Sequence, residues 1–184
     1  MCSHFDPLLD IKKLETFFGV ETELPLDLKS SLWPTYVGPF IRKHEFADVG
    51  DEAVPHKELL VGSFGLIPHW AKDTKIARNT FNARSETADS KPSFRVAWKK
   101  ARHCIIPAEA IFEPDWRSGK ALPTRIIRTD GKPMGIAGLW SKWENPENGK
   151  VLHSFTMLTI NADDHDFMQH YHKPQDEKRM IPAC

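Results

Sequence analysis

The amino-acid sequence predicts an α+β protein: a single domain around a mainly antiparallel, barrel-like sheet with a few flanking helices. Its 184 residues suit one hydrophobic core. Short segments rich in β-branched and aromatic residues recur along the chain, several of them separated by turn sequences. Because the predicted strands outnumber the predicted helices, an antiparallel sheet is favoured over alternating βαβ units.

The first predicted element is an amphipathic helix. Asp6 and Pro7 stand at its start, an apolar series runs from Leu8 to Phe18, and Gly19 follows its end. Proline in the first turn and glycine after the last turn are typical of helix boundaries. We therefore expect a helix that begins at Asp6.

Strands make up most of the remaining predicted structure. They are expected around residues 40–46, 59–67, 104–112, 124–128, 134–140 and 153–160. Asp130-Gly131 and Asn148-Gly149 are typical of hairpin turns between such strands. Two further helices are predicted near residues 92–101 and 163–171.

The composition excludes several classes of protein. With 40% hydrophobic and 27% charged residues, the chain has enough apolar material for a core. No apolar run approaches the ~20 residues needed to cross a bilayer, and no secretory leader is apparent, so we expect neither a membrane protein nor a secreted one. Cys2, Cys104 and Cys184 are widely spaced, which argues against a disulfide framework and favours the reducing cytoplasm.

A net charge of zero conceals an uneven distribution of charge. Residues 69–103 hold nine basic and three acidic residues. Lys91, Arg95, Lys99 and Arg102 recur there at helical spacing, and we call these four residues the basic ridge. Charged helix faces are most often simply solvated, so the basic ridge alone does not indicate binding to nucleic acid.

Cys2 is the most informative single position. Removal of Met1 would leave a cysteine with a free α-amine, so that an amine and a thiol would share one residue. An α-amine with a pKa of ~7.7–8.0 and a thiol with a pKa of ~8.5 can together condense with an aldehyde and close a thiazolidine ring. By its position alone, however, a second-residue cysteine is more often incidental.

Four other residues are candidates for chemistry. Asn82 can orient a substrate, and Arg84 beside it can bind phosphate. Glu113 ends an apolar strand, where burial would raise its pKa toward acid–base use. His172 could transfer protons near neutral pH. Each also has an ordinary interpretation as a loop, surface or structural residue.

A metal-dependent hydrolase is an alternative function, suggested by residues near His172 in the C-terminal part of the chain. Histidine and aspartate side chains there provide enough potential ligands, although their spacing matches no known ligand pattern. The residues concerned are His165, His170, His172, Asp163, Asp164 and Asp166. The main interpretation requires no metal and no cofactor.

Several sequence blocks, in order, cover nearly the whole chain. They are Met1-Cys2, GLIPHW at 65–70, NARSET at 82–87, CIIPAEAIFE at 104–113, AGLW at 137–140, and RMIP at 179–182 preceded by His172. Together they resemble the SOS response-associated peptidase (SRAP) family. The resemblance implies capture of abasic sites in single-stranded DNA by covalent attachment during the DNA damage response, with an autoproteolytic or peptidase-type activity. In line with the composition we expect no membrane partner, and we expect a cytoplasmic monomer, nucleoid-associated if bacterial.

The resemblance also implies roles for individual residues. The catalytic positions match Cys2, Asn82, Glu113 and His172. The positions expected to contact DNA are Arg84, Trp70, His69 and Arg179, together with Arg95 and Lys99 of the basic ridge. Six residues separate His172 from Arg179, where many members have the pair almost adjacent.

Two departures from the family pattern bear on function. His4 stands where the family has an arginine that contacts DNA. The chain stops at Cys184, where members usually continue with a strand and a helix, so we expect a domain over residues 1–184 that lacks them. A non-catalytic module for single-stranded DNA is the remaining alternative; it would not need Cys2, Glu113 and His172 to converge.

Overall fold

A computed structural model describes residues 2–184. The strands in this part of the chain are β1 Phe5–Pro7, β2 Val37–Lys43, β3 Lys57–Phe64, β4 Asn82–Arg84, β5 His103–Asp115, β6 Leu122–Ile126, β7 Met134–Glu144, β8 Val151–Asn161 and β9 Arg179–Met180. The helices are α1 Ile11–Lys13, which continues as a π-helical turn over Leu14–Phe18, α2 Arg95–Lys99, and the 3₁₀ segments Thr74–Asn79 and Met168–Tyr171.

Five of these strands close into a barrel. β2 pairs with β3, β8 with β7, β7 with β5, and β5 with β2, all antiparallel. The barrel is closed by the pairing of β3 with β8, which run parallel to each other, with Ser63 opposite Ser154. The predicted α+β domain with a mainly antiparallel, barrel-like sheet is confirmed.

The barrel interior is filled by alternate residues of its strands. Side chains on a strand point to opposite faces in turn, so one face of each strand supplies the core. Phe40, Phe64, Ile106 and Phe155 are fully buried there, and the rings of Phe64 and Phe155 stack with centroids 5.6 Å apart. Apolar burial of this kind is the main source of stability.

Shorter strands extend the barrel and position the residues of interest. β1 lies along β5, with Phe5 opposite Ile111. β4 runs parallel to β8, with Asn82 opposite Met157, and β9 pairs with the end of β8. Gly65, with a φ of 120°, turns the chain out of β3, and a Cβ there would lie 2.0 Å from the Ala77 carbonyl oxygen, so only glycine fits.

The first helix begins later than predicted. Asp6 and Pro7 belong to β1, because pairing with β5 outweighs the local helix signal. Asp10 caps the helix by accepting a 3.1 Å hydrogen bond from the Lys13 amide. The predicted end is confirmed, since Gly19 has a φ of 60° after the last turn.

The two turn predictions had different outcomes. Asn148-Gly149 lies in the hairpin between β7 and β8, as predicted. Asp130-Gly131 does form a turn, but β6 and β7 both pair with β5 and not with each other, so the hairpin prediction was wrong.

The two later helices are shorter than predicted. The helix expected at 92–101 covers only Arg95–Lys99, and the one expected at 163–171 is a 3₁₀ segment over Met168–Tyr171. Within residues 2–184, no helix is long and apolar enough to cross a membrane.

Candidate active site and nucleic-acid interface

Cys2 is held beside the end of β5 by the pairing of the first strand. The Phe112 amide donates a 3.0 Å hydrogen bond to the His4 carbonyl, continuing the register set by Phe5 and Ile111. Glu113 follows Phe112, and it lies near enough to Cys2 for its negative charge to raise the pKa of the thiol. The Cys2 thiol itself donates to the His4 carbonyl at 3.4 Å.

Asn82 reaches Cys2 from β4. β4 lies parallel to β8, and this pairing directs the Asn82 side chain toward the first residues of the chain. Its Nδ2 donates a 2.8 Å hydrogen bond to the Cys2 carbonyl oxygen. This contact holds the Cys2 backbone, and therefore its nitrogen and sulfur, in one orientation.

Glu113 is a buried carboxyl group on the inner side of β5. Its neighbour Phe112 points outward, so strand alternation turns Glu113 inward, and it is only 4% exposed. Burial disfavours the carboxylate and raises its pKa from 4.5 to about 7. A group with this pKa can both donate and accept protons at neutral pH.

His172 follows the 3₁₀ segment Met168–Tyr171. The Trp116 amide donates a 2.9 Å hydrogen bond to the His170 carbonyl, which ties this segment to the chain just beyond β5. His172 is buried, and burial lowers the pKa of its imidazole to about 4. The ring is therefore neutral at pH 7. The structure thus joins Cys2 directly to Asn82 and places Glu113 beside it, with His172 on a segment tied to the same end of β5.

Burial changes the expected chemistry of the Cys2 thiol. Cys2 is 1% exposed and packs in the barrel core with Phe5 and Leu32. Loss of hydration is the main reason, and the charge of Glu113 the second, that the pKa of the thiol rises to about 12. A thiol in this environment is protonated at neutral pH and needs a base before it can react.

Most of the residues predicted to contact DNA lie on the surface. Trp70 is 49% exposed and is anchored by a 3.3 Å hydrogen bond from its indole nitrogen to the Pro92 carbonyl. His69 beside it is exposed, as are Arg95 and Lys99 on α2. These four residues have the accessibility that a contact with nucleic acid requires.

Arg102 departs from the basic ridge. The helix ends before it, because Ala101 takes a left-handed φ of 48°. Arg102 is half-buried, and its guanidinium lies 5.1 Å from the ring centre of Trp140. The exposed part of the basic ridge consists of Lys91, Arg95 and Lys99.

Arg179 is buried in an ion-paired group, which we call the arginine–glutamate cluster and define as Arg84, Glu86, Glu177 and Arg179. Arg179 is 3% exposed and binds both Glu86 oxygens at 3.0 and 2.8 Å and Glu177 at 3.0 Å. It also donates to the Thr159 carbonyl at 2.8 Å. With its terminal nitrogens occupied in this way, Arg179 links β8 and β9 to Glu86 and Glu177, and its contact with DNA stays a prediction.

Arg84 belongs to the same cluster but lies at its surface. Its side chain is half-exposed and pairs with Glu177 at 2.7 Å. Sequence reasoning missed Glu86 and Glu177, because no local pattern connects residues so far apart in the chain. They meet since β4 and β9 both pair with β8. The presence of Glu86 in the NARSET block was the one available signal.

The histidine-rich segment provides turn contacts and not a ligand cluster. The Nδ1 atom of His165 accepts hydrogen bonds from the amides of Phe167 and Met168 at 3.3 and 3.2 Å. Within residues 2–184, no three His, Cys, Asp or Glu side chains are grouped so that they could hold a metal ion. The metal-dependent alternative therefore finds no support in this part of the chain.

Comparison with known proteins gives consistent matches. The abasic site processing protein YoqW of Bacillus subtilis (strain 168) is 39% identical over 124 residues, which cover 64% of this chain and 54% of that protein. The abasic site processing protein YoaM of the same organism is 38% identical over 174 residues, covering 92% and 68%. The chain thus spans about half the length of YoqW.

Structure comparison agrees. A crystal structure of a protein from Bordetella bronchiseptica superposes with a TM-score of 0.85 at 45% identity, covering 99% of this chain and 83% of that one. The sequence model of the family described as SOS response associated peptidase matches residues 1–180. The chain therefore belongs to the SOS response associated peptidase (SRAP) family.

Proposed function

We propose that this chain, once Met1 has been removed, captures abasic sites in single-stranded DNA as a covalent adduct on Cys2. The names of YoqW and YoaM support abasic-site processing in DNA damage. The observation that carries the proposal is the hydrogen bond from Asn82 to the Cys2 carbonyl, with the buried carboxyl of Glu113 beside the same residue. This arrangement orients the nitrogen and sulfur of one residue next to an acid–base group.

The reaction joins both nucleophiles of Cys2 to one carbon of the sugar. In its ring-opened form an abasic deoxyribose carries an aldehyde at C1′. The α-amine of Cys2 adds to this carbon, and the resulting carbinolamine loses water to give an imine. The thiol then adds to the imine carbon, and its proton passes to the nitrogen. A thiazolidine and one water molecule are the products.

Proton transfers in these steps are assigned to Glu113. With a pKa of about 7, it can protonate the departing hydroxyl and afterwards accept a proton. Neutral His172 is suited to accept the sugar hydroxyl proton during ring opening. The peptidase-type activity implied by the family name would use the same thiol, which needs a base because its pKa is high.

We assign the binding of the DNA that flanks the abasic site to exposed residues on the protein surface. Trp70 offers a face for base stacking, and Arg84, Arg95 and Lys99 offer charge to phosphates. His69 extends the Trp70 surface. We place this activity in a monomer in the cytoplasm, on the nucleoid if the cell is bacterial.

The test uses protein whose loss of Met1 has been verified by mass spectrometry. It is incubated with a single-stranded oligonucleotide carrying one abasic site and is then analysed by denaturing electrophoresis. We expect a shifted species with wild type and none with Cys2→Ala. Cys104→Ala, which removes another buried thiol, is the matched control and should retain the adduct.

The alternative functions predict different results. A non-catalytic DNA-binding module would bind the oligonucleotide in a native gel but give no denaturation-resistant species. Equal adduct yields from wild type and Cys2→Ala would show that the proposed nucleophile is wrong.

A further inference from the structure

Three aromatic rings form a continuous stack beside the candidate active site. The imidazole of His4 lies between the indole of Trp33 and the ring of Phe112. Its centroid is 4.2 Å from that of Trp33 and 4.1 Å from that of Phe112, and both interplanar angles are 13°. The proposed function uses none of these rings.

The stack follows from the pairing of three neighbouring chain segments. Phe5 pairs with Leu32 on one side and with Ile111 on the other. All three of these side chains are buried. The next residues along the pairing, Trp33, His4 and Phe112, point to the opposite face and therefore stand in a row across the segments. The spacing between paired strands brings such rings into stacking contact.

Polar contacts fix the middle ring of the stack. The Ser31 hydroxyl donates to Asp6 at 3.0 Å, so the His4 Nε2–H donates to the Ser31 oxygen, 2.5 Å away. Asp6 in turn is paired with Arg125 at 3.3 Å. His4 therefore cannot rotate away from Trp33 without breaking this chain of hydrogen bonds.

The outer member of the stack is open to solvent. Trp33 is 47% exposed although one face of its indole is covered by His4. Within residues 2–184, His4 is the only ring that stacks on it. A flat, preorganised aromatic surface of this kind suits the π-face of an unpaired nucleobase, whatever the identity of the base.

The location of the stack suggests which base it receives. His4 is two residues from Cys2, and Phe112 directly precedes Glu113. We infer from this proximity along the chain that a strand with its abasic sugar at Cys2 brings a neighbouring nucleotide to this surface. Trp70, the aromatic residue already assigned to DNA, belongs to a different loop and is anchored on Pro92.

We propose that Trp33, supported by His4 and Phe112, is a stacking site for an unpaired nucleobase close to the abasic position in the bound strand. The inference rests on the proposed function for the nature of its ligand. It adds a second aromatic contact, on the Cys2 side of the protein, to the surface around Trp70.

The test measures equilibrium binding to single-stranded oligonucleotides of ordinary bases and needs no chemistry at Cys2. A set of oligonucleotides has one nucleotide at a time replaced by a base-free tetrahydrofuran spacer. For wild type, we expect one spacer position, distinct from any position that depends on Trp70, to weaken binding about fivefold or more. Trp33→Ala should weaken binding to the intact oligonucleotide by a similar factor and should be insensitive to the spacer at that position.

Control variants make the result specific. Trp33→Phe keeps an aromatic ring and should retain most of the affinity. Phe46→Ala removes another exposed ring, 58% accessible, in a different loop and should bind as wild type does. Thermal unfolding of each variant checks that it is folded, and Trp33→Leu replaces Trp33→Ala if the latter is not.

The outcomes separate this inference from the proposed function. If each spacer position lowers the affinity of wild type and of the Trp33 variant by the same factor, the stacking site is wrong. It is also wrong if wild type does not bind single-stranded DNA. If the spacer effect depends on Trp33 but wild type forms no covalent adduct, the stacking site stands and the proposed chemistry fails.

Discussion

Glu113 and Glu86 show how one side chain acquires opposite properties in two regions of this protein. Glu113 lies on the inner side of β5, where burial raises its pKa to about 7. Glu86 lies in the arginine–glutamate cluster, where its hydrogen bonds with Arg179 lower its pKa to about 2. At neutral pH the first exchanges protons readily, whereas the second is a permanent anion.

The difference distinguishes a site suited to chemistry from one suited to bracing. A carboxyl group that must give and take a proton cannot sit beside a guanidinium, because the ion pair would hold it in the charged form. Conversely, the buried Arg179 needs carboxylates such as Glu86 and Glu177 to compensate its charge. Both glutamates lie in sequence blocks that resemble the family, so the sequence does not distinguish them. Their different roles follow from the side chains that surround each one in the structure.

The largest effect that the comparison predicts is on reaction rate. Glu113→Gln removes the proton-transfer group and should slow adduct formation with abasic single-stranded DNA by about 10²- to 10⁴-fold. Glu86→Gln makes the same chemical change in the arginine–glutamate cluster and should leave the rate within a fewfold of wild type. Single-turnover kinetics on denaturing gels measure both; equal slowing by the two variants would contradict the assignment.

Stability should respond to pH in opposite directions at the two glutamates. The folded-state pKa of Glu113 is raised from 4.5 to about 7, so the folded state binds the extra proton between these values. The free energy of unfolding of wild type, relative to Glu113→Gln, should then fall as pH rises through this window, by up to about 1.4 kcal/mol per pH unit.

For Glu86 the sign is reversed. Its folded-state pKa is lowered from 4.5 to about 2, so its stabilising contribution is present above pH 4.5 and is lost as pH falls toward 2. Urea denaturation at a series of pH values, with each Gln variant compared with wild type, measures both trends. Parallel trends for the two variants would show that burial and pairing do not distinguish the sites.

Removal of the buried guanidinium tests the bracing role directly. Arg179→Ala removes the guanidinium that binds both Glu86 oxygens and one of the donors to the Thr159 carbonyl, and should lower the free energy of unfolding by about 2–3 kcal/mol. Arg84→Ala breaks a half-exposed pair and should cost far less. If Arg179→Ala is as stable as wild type but binds DNA more weakly, Arg179 contacts DNA after all.

The smallest expected effect is on the salt dependence of DNA binding. Arg95→Gln and Lys99→Gln each remove one exposed charge and should reduce the slope of log affinity against log salt concentration by about 0.7 for single-stranded DNA. Lys150→Gln, in the β7–β8 turn, is the matched control and should leave the slope unchanged. Fluorescence anisotropy between low and moderate salt provides the measurement.

The sequence was sufficient for the main strands because their signals are local. Short runs rich in β-branched and aromatic residues, bounded by turn residues, predicted β2, β3, β5, β7 and β8 to within a few residues. It failed where pairing with distant strands decided the structure, as at Asp6, which joins β1, and at Asp130-Gly131. β4 and β9 were missed for the same reason, since two or three residues carry no periodic pattern.

For the candidate site, the sequence could suggest residue types but not their surroundings. Cys2 stood out by its position, and Glu113 by the apolar strand before it. The contact of Asn82 with Cys2 joins residues eighty positions apart, so no spacing could reveal it. The burial of Arg179 depends on Glu86 in the same way.

The parallel pairing of β3 with β8 has a consequence for how the protein matures. The barrel can close only after Ser63 has paired with Ser154, which lies on the order of ninety residues later in the chain. Contacts of such long range form late and slow the folding of a domain. Asn82, too, is placed by the pairing of β4 with β8, so a nascent chain that ends before β8 does not yet hold Asn82 against Cys2.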